Sequence, residues 1–145
     1  MLVTPASPST SILLIDSSTN QRRYWAEQLK RCYPDYEIIE AADGQSGLEV
    51  YRSRRIDCVA SDIALPDRSG FEVLITLAPR ASRPHEAVIM LTQVPYRGLW
   101  ELAYKNGARG CLSKHHTTGE ELDKTIQRAV AFVGQLPKED RYRCL

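Results

Sequence analysis

The sequence predicts an α/β domain built on a parallel sheet with helices on both faces, and three observations predict it. Short apolar runs alternate with amphipathic stretches five times along the chain. Runs such as Ile12-Leu13-Leu14-Ile15 and Val88-Ile89-Met90-Leu91 offer no polar residue to solvent, the mark of a strand covered on both sides. Between the runs stand residues that start and stop helices.

Taken in order, Ile12 to Ile15 forms the first strand, and Ser18-Thr19-Asn20-Gln21 fits a capping box opening a helix with Trp25, Leu29 and Cys32 on one face. Tyr36 to Glu40 is the second strand, after which Asp43 and Gly44 lead into a helix carrying Leu48 and Tyr51. Ile56 to Ser61 makes a third strand that ends at Asp62, followed by a loop with Pro66 and Gly70 and a helix from Phe71 to Leu77 that stops at Pro79. Val88 to Leu91 is the fourth strand, closed by Thr92. A helix from Tyr96 to Asn106 follows, with Gly107 as its stop. Cys111 and Leu112 form a short fifth strand before Ser113 and Lys114. Leu122, Ile126, Ala129, Val130 and Val133 then recur at helical spacing until Gly134 and Pro137. Residues 1–10 are expected to be a flexible leader, 11–134 the domain, and 135–145 a polar tail or linker.

A chain of 145 residues suffices for one domain with a core of its own. Its hydrophobic share of 43% and charged share of 26% are those of an ordinary globular protein. A net charge of +1 gives no field for nucleic acid or an anionic membrane, and Arg22, Arg23, Arg52, Arg54 and Arg55 are expected on a solvated surface. No apolar run reaches the ~18 residues of a membrane span, and the first residues are not those of a signal peptide. Cys32, Cys58, Cys111 and Cys144 show no CxxC spacing and no clustering with His, which argues against zinc and for a reduced, cytoplasmic location.

Ligands of such sheets bind beyond the carboxyl ends of the strands. Asp16, Asp62, Thr92 and Lys114 each close a predicted strand and would meet in one crevice. Two carboxylates suit a hard cation such as magnesium. An ammonium and a hydroxyl suit phosphate, and a free Asp can attack phosphorus. Any one of these residues is more simply a helix cap or a solvated charge, so the inference rests on all four together.

The segments ILLID at 12–16, SDIALPDRSGFEVL at 61–74, MLT at 90–92 and GARGCLSK at 107–114 resemble the landmarks of the response-regulator receiver domain of two-component signalling, over roughly Ser11 to Val133. The resemblance implies a five-stranded, doubly wound, flavodoxin-like sheet of order 2-1-3-4-5. It also implies that Asp62 takes a phosphoryl group from a sensor histidine kinase or phosphotransfer protein. Asp16, Asp62 and the backbone carbonyl of Ala64 would hold magnesium, Lys114 would contact a phosphoryl oxygen, and Thr92 would move toward it.

The chain departs from the family pattern at several positions. Ser17 stands where a second acid is usual, which weakens magnesium binding by removing an anionic donor. Cys111 replaces the usual switch aromatic, and His115 replaces the proline after the lysine, so a trans Lys114–His115 peptide and some displacement of Lys114 are expected. Ala64 and Val94 are apolar where polar side chains orient a hydrolytic water, which predicts slow loss of the phosphoryl group. His115 and His116 are expected to be solvated.

Trp100 and Tyr104 stand four apart and share a helix face, read either as a partner or homodimer surface or as two rings packed along the sheet edge, with Leu99, Leu102 and Ala103 expected to cover the sheet. One alternative keeps the fold and drops the chemistry, a pseudo-receiver that binds partners without phosphorylation. Another, a phosphohydrolase pairing Asp62 with Asp67, needs a closer spacing of the acids than D-I-A-L-P-D provides. No output domain is recognised in the sequence, which fits a stand-alone receiver or one cut from a larger regulator.

Overall fold

A computed structural model describes residues 9–77, 86–93 and 97–134. The described chain runs β1 (Ser11–Ile15), α1 (Thr19–Cys32), β2 (Glu37–Ala41), α2 (Gly44–Ser53), β3 (Cys58–Ser61), α3 (Gly70–Leu77), β4 (Val88–Thr92), α4 (Arg97–Lys105), β5 (Gly110–Ser113) and α5 (Gly119–Gly134). The strands pair in parallel in the order β2-β1-β3-β4-β5, as expected. Strand bounds differ from the sequence reading by one or two residues. Pro79, Val94, Tyr96, Pro137 and Cys144 lie outside the described residues, as do positions 1–8 of the leader and the whole tail. Thr10, within the expected leader, already accepts the Glu37 N–H at 3.0 Å.

The continuous apolar runs are explained by two cores. Ile12, Leu14, Ala60, Ile89 and Leu91 face Trp25 and Leu29 of α1 and Leu122, Ile126 and Ala129 of α5. Leu13, Ile15, Val59, Val88 and Met90 face Leu48 of α2, Val73, Leu74 and Leu77 of α3 and Ala103 of α4. Because side chains alternate along a strand, every residue of β1 and β4 is buried on one side or the other.

Local signals set the helix ends. Ser18 accepts the Gln21 N–H at 3.3 Å, but the Gln21 Oε1 is buried without a partner, so only half of the expected capping box forms. Asp43 caps α2 by accepting the Ser46 N–H at 2.7 Å. Gly107 sits at φ 103°, in the left-handed region that stops α4. A second cap escaped the sequence reading: Thr118 accepts the Glu121 N–H at 3.1 Å, and its hydroxyl donates to the Glu121 carboxylate at 3.3 Å.

One expectation about α4 is corrected. Leu102 is 46% exposed and does not cover the sheet; Trp100 is half-buried against the core beside Cys111, the packed one of its two readings. At about 100° per residue, Ala103 points inward with Leu99 and Trp100 flanking it, and Leu102 is carried out to solvent. Tyr104 is exposed, as expected.

Candidate functional site

The strand ends deliver the predicted residues to one edge of the sheet. The Asp16 N–H bonds to Ala41 O at 3.1 Å and the Asp62 N–H to Ile15 O at 2.9 Å, which extends the ladder just past β1 and β3 and fixes both carboxylates at its rim. The Lys114 N–H donates to Thr92 O at 2.8 Å and so continues the pairing of β4 with β5.

From there Lys114 reaches across the sheet. Its ammonium donates to Asp62 Oδ2 at 2.8 Å and to Asp16 Oδ2. The three side chains are 6%, 12% and 10% exposed, so the ammonium neutralises two carboxylates with little water between them. The other oxygens are held by backbone. Asp62 Oδ1 accepts the Ile63 N–H at 2.7 Å and the Ala64 N–H at 3.4 Å, while Asp16 Oδ1 accepts the Ser18 N–H at 2.8 Å. The Lys114–His115 peptide is trans, as expected, and Lys114 reaches both carboxylates. His115 and His116 are exposed.

Thr92 is buried at the end of β4, side by side with Ser113 of β5. Arg22 donates to the Asp16 carbonyl and pairs with Glu40 at 3.1 Å. It thereby helps line a cleft of about 10 Å3 beneath the carboxylates, with Asp16, Asp62, Trp25 and Leu91. That is room for about one water. Arg22 was read only as a surface charge in the sequence, because its bond to a strand-end carbonyl has no local signature.

The loop after Asp62 is closed tightly. The Gly70 N–H donates to Ile63 O at 2.7 Å, and Ala64 bridges to Ser69. A Cβ on Gly70 would lie 2.2 Å from the Asp62 carbonyl oxygen and 2.8 Å from Ile63 Cα, so only glycine fits. Asp67 does not approach Asp62 as a second acid. Its carboxylate turns away to accept the Gly44 and Gln45 N–H groups at the start of α2, each at 2.8 Å, and those amides hold it below the usual carboxylate range. The two-acid hydrolase arrangement is absent.

Cys111 is buried under α4, its thiol 4.0 Å from Trp100 O, and burial pushes the thiol up to about 12. The Trp100 indole nitrogen is buried with no partner. Cys32, Cys58 and Cys111 are free thiols. Among the described residues no group of three His, Cys, Asp or Glu side chains forms a metal cluster, and no helix is long and apolar enough to cross a membrane.

An Asp held by amides on one oxygen and by a lysine on the other, beside a second Asp and a buried Thr at the ends of parallel strands, has the donors and charges that suit a phosphoryl group. The family model for the response regulator receiver domain matches residues 12–127. This chain belongs to that family. Among solved structures it is similar to a response regulator receiver domain protein from Clostridium thermocellum, with a TM-score of 0.78 and 28% identity over 88% of this chain and 99% of that one. Among curated proteins it is 31% identical to the transcriptional regulatory protein PdtaR of Mycobacterium tuberculosis, over 83% of this chain and 56% of PdtaR. It is also 30% identical to a protein-glutamate methylesterase/protein-glutamine glutaminase of Myxococcus xanthus, over 78% of this chain and 32% of that protein. The chain thus spans about a third to a little over half the length of these two curated relatives.

Proposed function

We propose that this receiver domain accepts a phosphoryl group on Asp62 from the phosphohistidine of a sensor kinase or phosphotransfer protein, in the cytoplasm. One Asp62 oxygen attacks phosphorus. The P–N bond to the donor imidazole breaks as the P–O bond of an acyl phosphate forms, and the imidazole leaves with the bonding pair. The observation that carries this reading is the Lys114–Asp62 contact of 2.8 Å, which sets a cation where phosphoryl oxygens arrive. Two backbone amides keep the carboxylate aimed without side-chain reorganisation. Thr92 supplies a hydroxyl from the adjacent strand end.

Receiver domains generally bind magnesium at the phosphorylation site. The donors here fit one: the Asp16 and Asp62 carboxylates already face a shared cation, the Lys114 ammonium, and the Ala64 carbonyl would supply a third oxygen. When bound, the ion neutralises charge developing on the phosphoryl oxygens. Ser17 is exposed and brings no charge, so we infer weak binding. The partners are the phosphoryl donor and an output protein or second copy meeting α4 near Tyr104. The free thiols suit a reducing compartment, and the domain acts as an acceptor in signalling, not as an enzyme turning over a metabolite.

Intact-mass measurement after incubation with acetyl phosphate and magnesium tests the reading, with Asp62→Ala as the control. A single phosphoryl adduct confined to the parent chain is expected. No adduct at magnesium far above cellular levels would replace the reading by a phosphorylation-independent interaction module.

A further inference from the structure

The carboxylate of Asp67 is excluded from the chemistry by its direction, yet it is one of the most fully engaged acids in the molecule. It takes two successive amides of α2, Gly44 and Gln45, each at 2.8 Å, across 23 and 22 residues of sequence. Arg68 doubles the link. Its guanidinium donates to the Gln45 side-chain oxygen at 2.8 Å and reaches Asp67 at 3.3 Å. Its stem lies across Gly44, where a Cβ would come within 2.5 Å of Arg68 Cδ.

The segment so tethered is the one that carries the site. Counting back from Asp67, Pro66 and Leu65 lead directly to Ala64 and Ile63, whose amides hold Asp62 Oδ1. At its other end the loop is closed by Gly70 on Ile63 and by the Ala64–Ser69 bridge. Asp62 itself is fixed by the sheet. Ile63 and Ala64 are not in the sheet, and their placement depends on where the loop is anchored.

We propose that Asp67 is a positioning residue for the phosphorylation site: by clasping the N-terminus of α2 it sets where the Ile63 and Ala64 backbone stands against Asp62. This deepens the proposed function and rests on it, since Ala64 is read there as the source of the cation's carbonyl donor. The mechanism is that of an outer partner orienting an inner ligand, which acts through the geometry of the site and not through charge on the substrate. It also makes α2 a handle on the site, because any partner that shifts the first turn of α2 pulls on the loop through these bonds.

The test compares two substitutions that weaken the same helix end. Asp67→Asn keeps one acceptor oxygen but sets an amide N–H group against a backbone N–H. Asp43→Ala removes the cap on Ser46, a bond of 2.7 Å that does not touch the loop. Magnesium affinity of the unphosphorylated chain is measured by calorimetry, phosphorylation by intact mass at graded magnesium, and folding by thermal melting. Asp67→Asn is expected to weaken magnesium binding on the order of tenfold and to move the magnesium midpoint of phosphorylation with it. Asp43→Ala should lower the melting temperature with the magnesium affinity unchanged. Equal shifts in the two variants would mean that helix stability is what matters, and no shift in Asp67→Asn would mean that the loop holds itself; either result overturns the proposal. A parent chain that binds magnesium but takes no phosphoryl group refutes the proposed function and leaves the calorimetric comparison standing.

Discussion

Replacing Lys114 by Met, which keeps the stem and removes the charge, leaves Asp16 and Asp62 facing each other across the vacated position. The ammonium lies 2.8 Å from Asp62, and at an effective dielectric of about 20 one such contact has a gross attraction of ~6 kcal/mol. Desolvation of the ammonium cancels much of this, and breaking a buried pair from one side typically costs about 3–5 kcal/mol. The carboxylates keep their backbone amide donors and are 10% and 12% exposed, so the low end of that range, about 3 kcal/mol, is expected. With a urea m-value of about 2 kcal/mol/M the unfolding midpoint should fall by ~1.5 M. Adding Asp16→Asn to Lys114→Met should recover part of the loss, since one of the two unpaired charges is then gone. A shift of Lys114→Met below ~0.5 M, the scale of an exposed surface pair, would falsify the view that this lysine balances the site.

Gly70→Ala has no relaxed arrangement, because its methyl meets backbone atoms at 2.2 and 2.8 Å; a loss of about 2–4 kcal/mol or a displaced loop, seen as reduced phosphoryl adduct, is expected. Trp100→Ala should cost about 2–3 kcal/mol in chemical denaturation through lost packing, while Tyr104→Ala should stay within about 1 kcal/mol and reduce any self-association seen by light scattering. Burial raises the Cys111 thiol from 9.0 to about 12 and, with a hydrogen bond to Asp123, the Tyr36 phenol from 10.0 to about 12. Both folded values are raised, so their contribution to stability is complete below about pH 9 and is lost as pH rises toward 12; alkaline melts of Cys111→Ala should show a shallower decline. A phosphoryl group on Asp62 should persist in the isolated domain, because Ala64 has no polar group to orient water; rapid loss of the mass adduct would count against that reasoning.

The architecture was legible because burial on both faces leaves a compositional trace. Ile12 to Ile15 and Val88 to Leu91, flanked by helix signals, fit strands of a covered sheet, and parallel strands place their last residues at one edge, so Asp16, Asp62, Thr92 and Lys114 could be assigned to one site without coordinates. Features that depend on distant partners were not legible. The hydrogen bonds of Asp67 lie more than 20 residues away, so the sequence offered it only the part of second acid in a hydrolase whose spacing it does not meet. The exposure of Leu102 and burial of Trp100 follow from the rotation of α4 about Ala103, which composition alone does not fix. Gln21 had the right spacing for a reciprocal cap, but its side-chain oxygen is buried elsewhere.

The two outermost strands are guarded in different ways. On β2 the exposed Glu37 and Glu40 pair with Arg54 and Arg22, leaving charge along an open row of peptide groups. β5 is only four residues long, Gly110–Ser113, so the margin it leaves open is short. Charged or short margins resist zippering of one sheet onto another. A domain protected this way can stand beside copies of itself at high local concentration, or be joined end to end with other folded units, without its strands recruiting theirs.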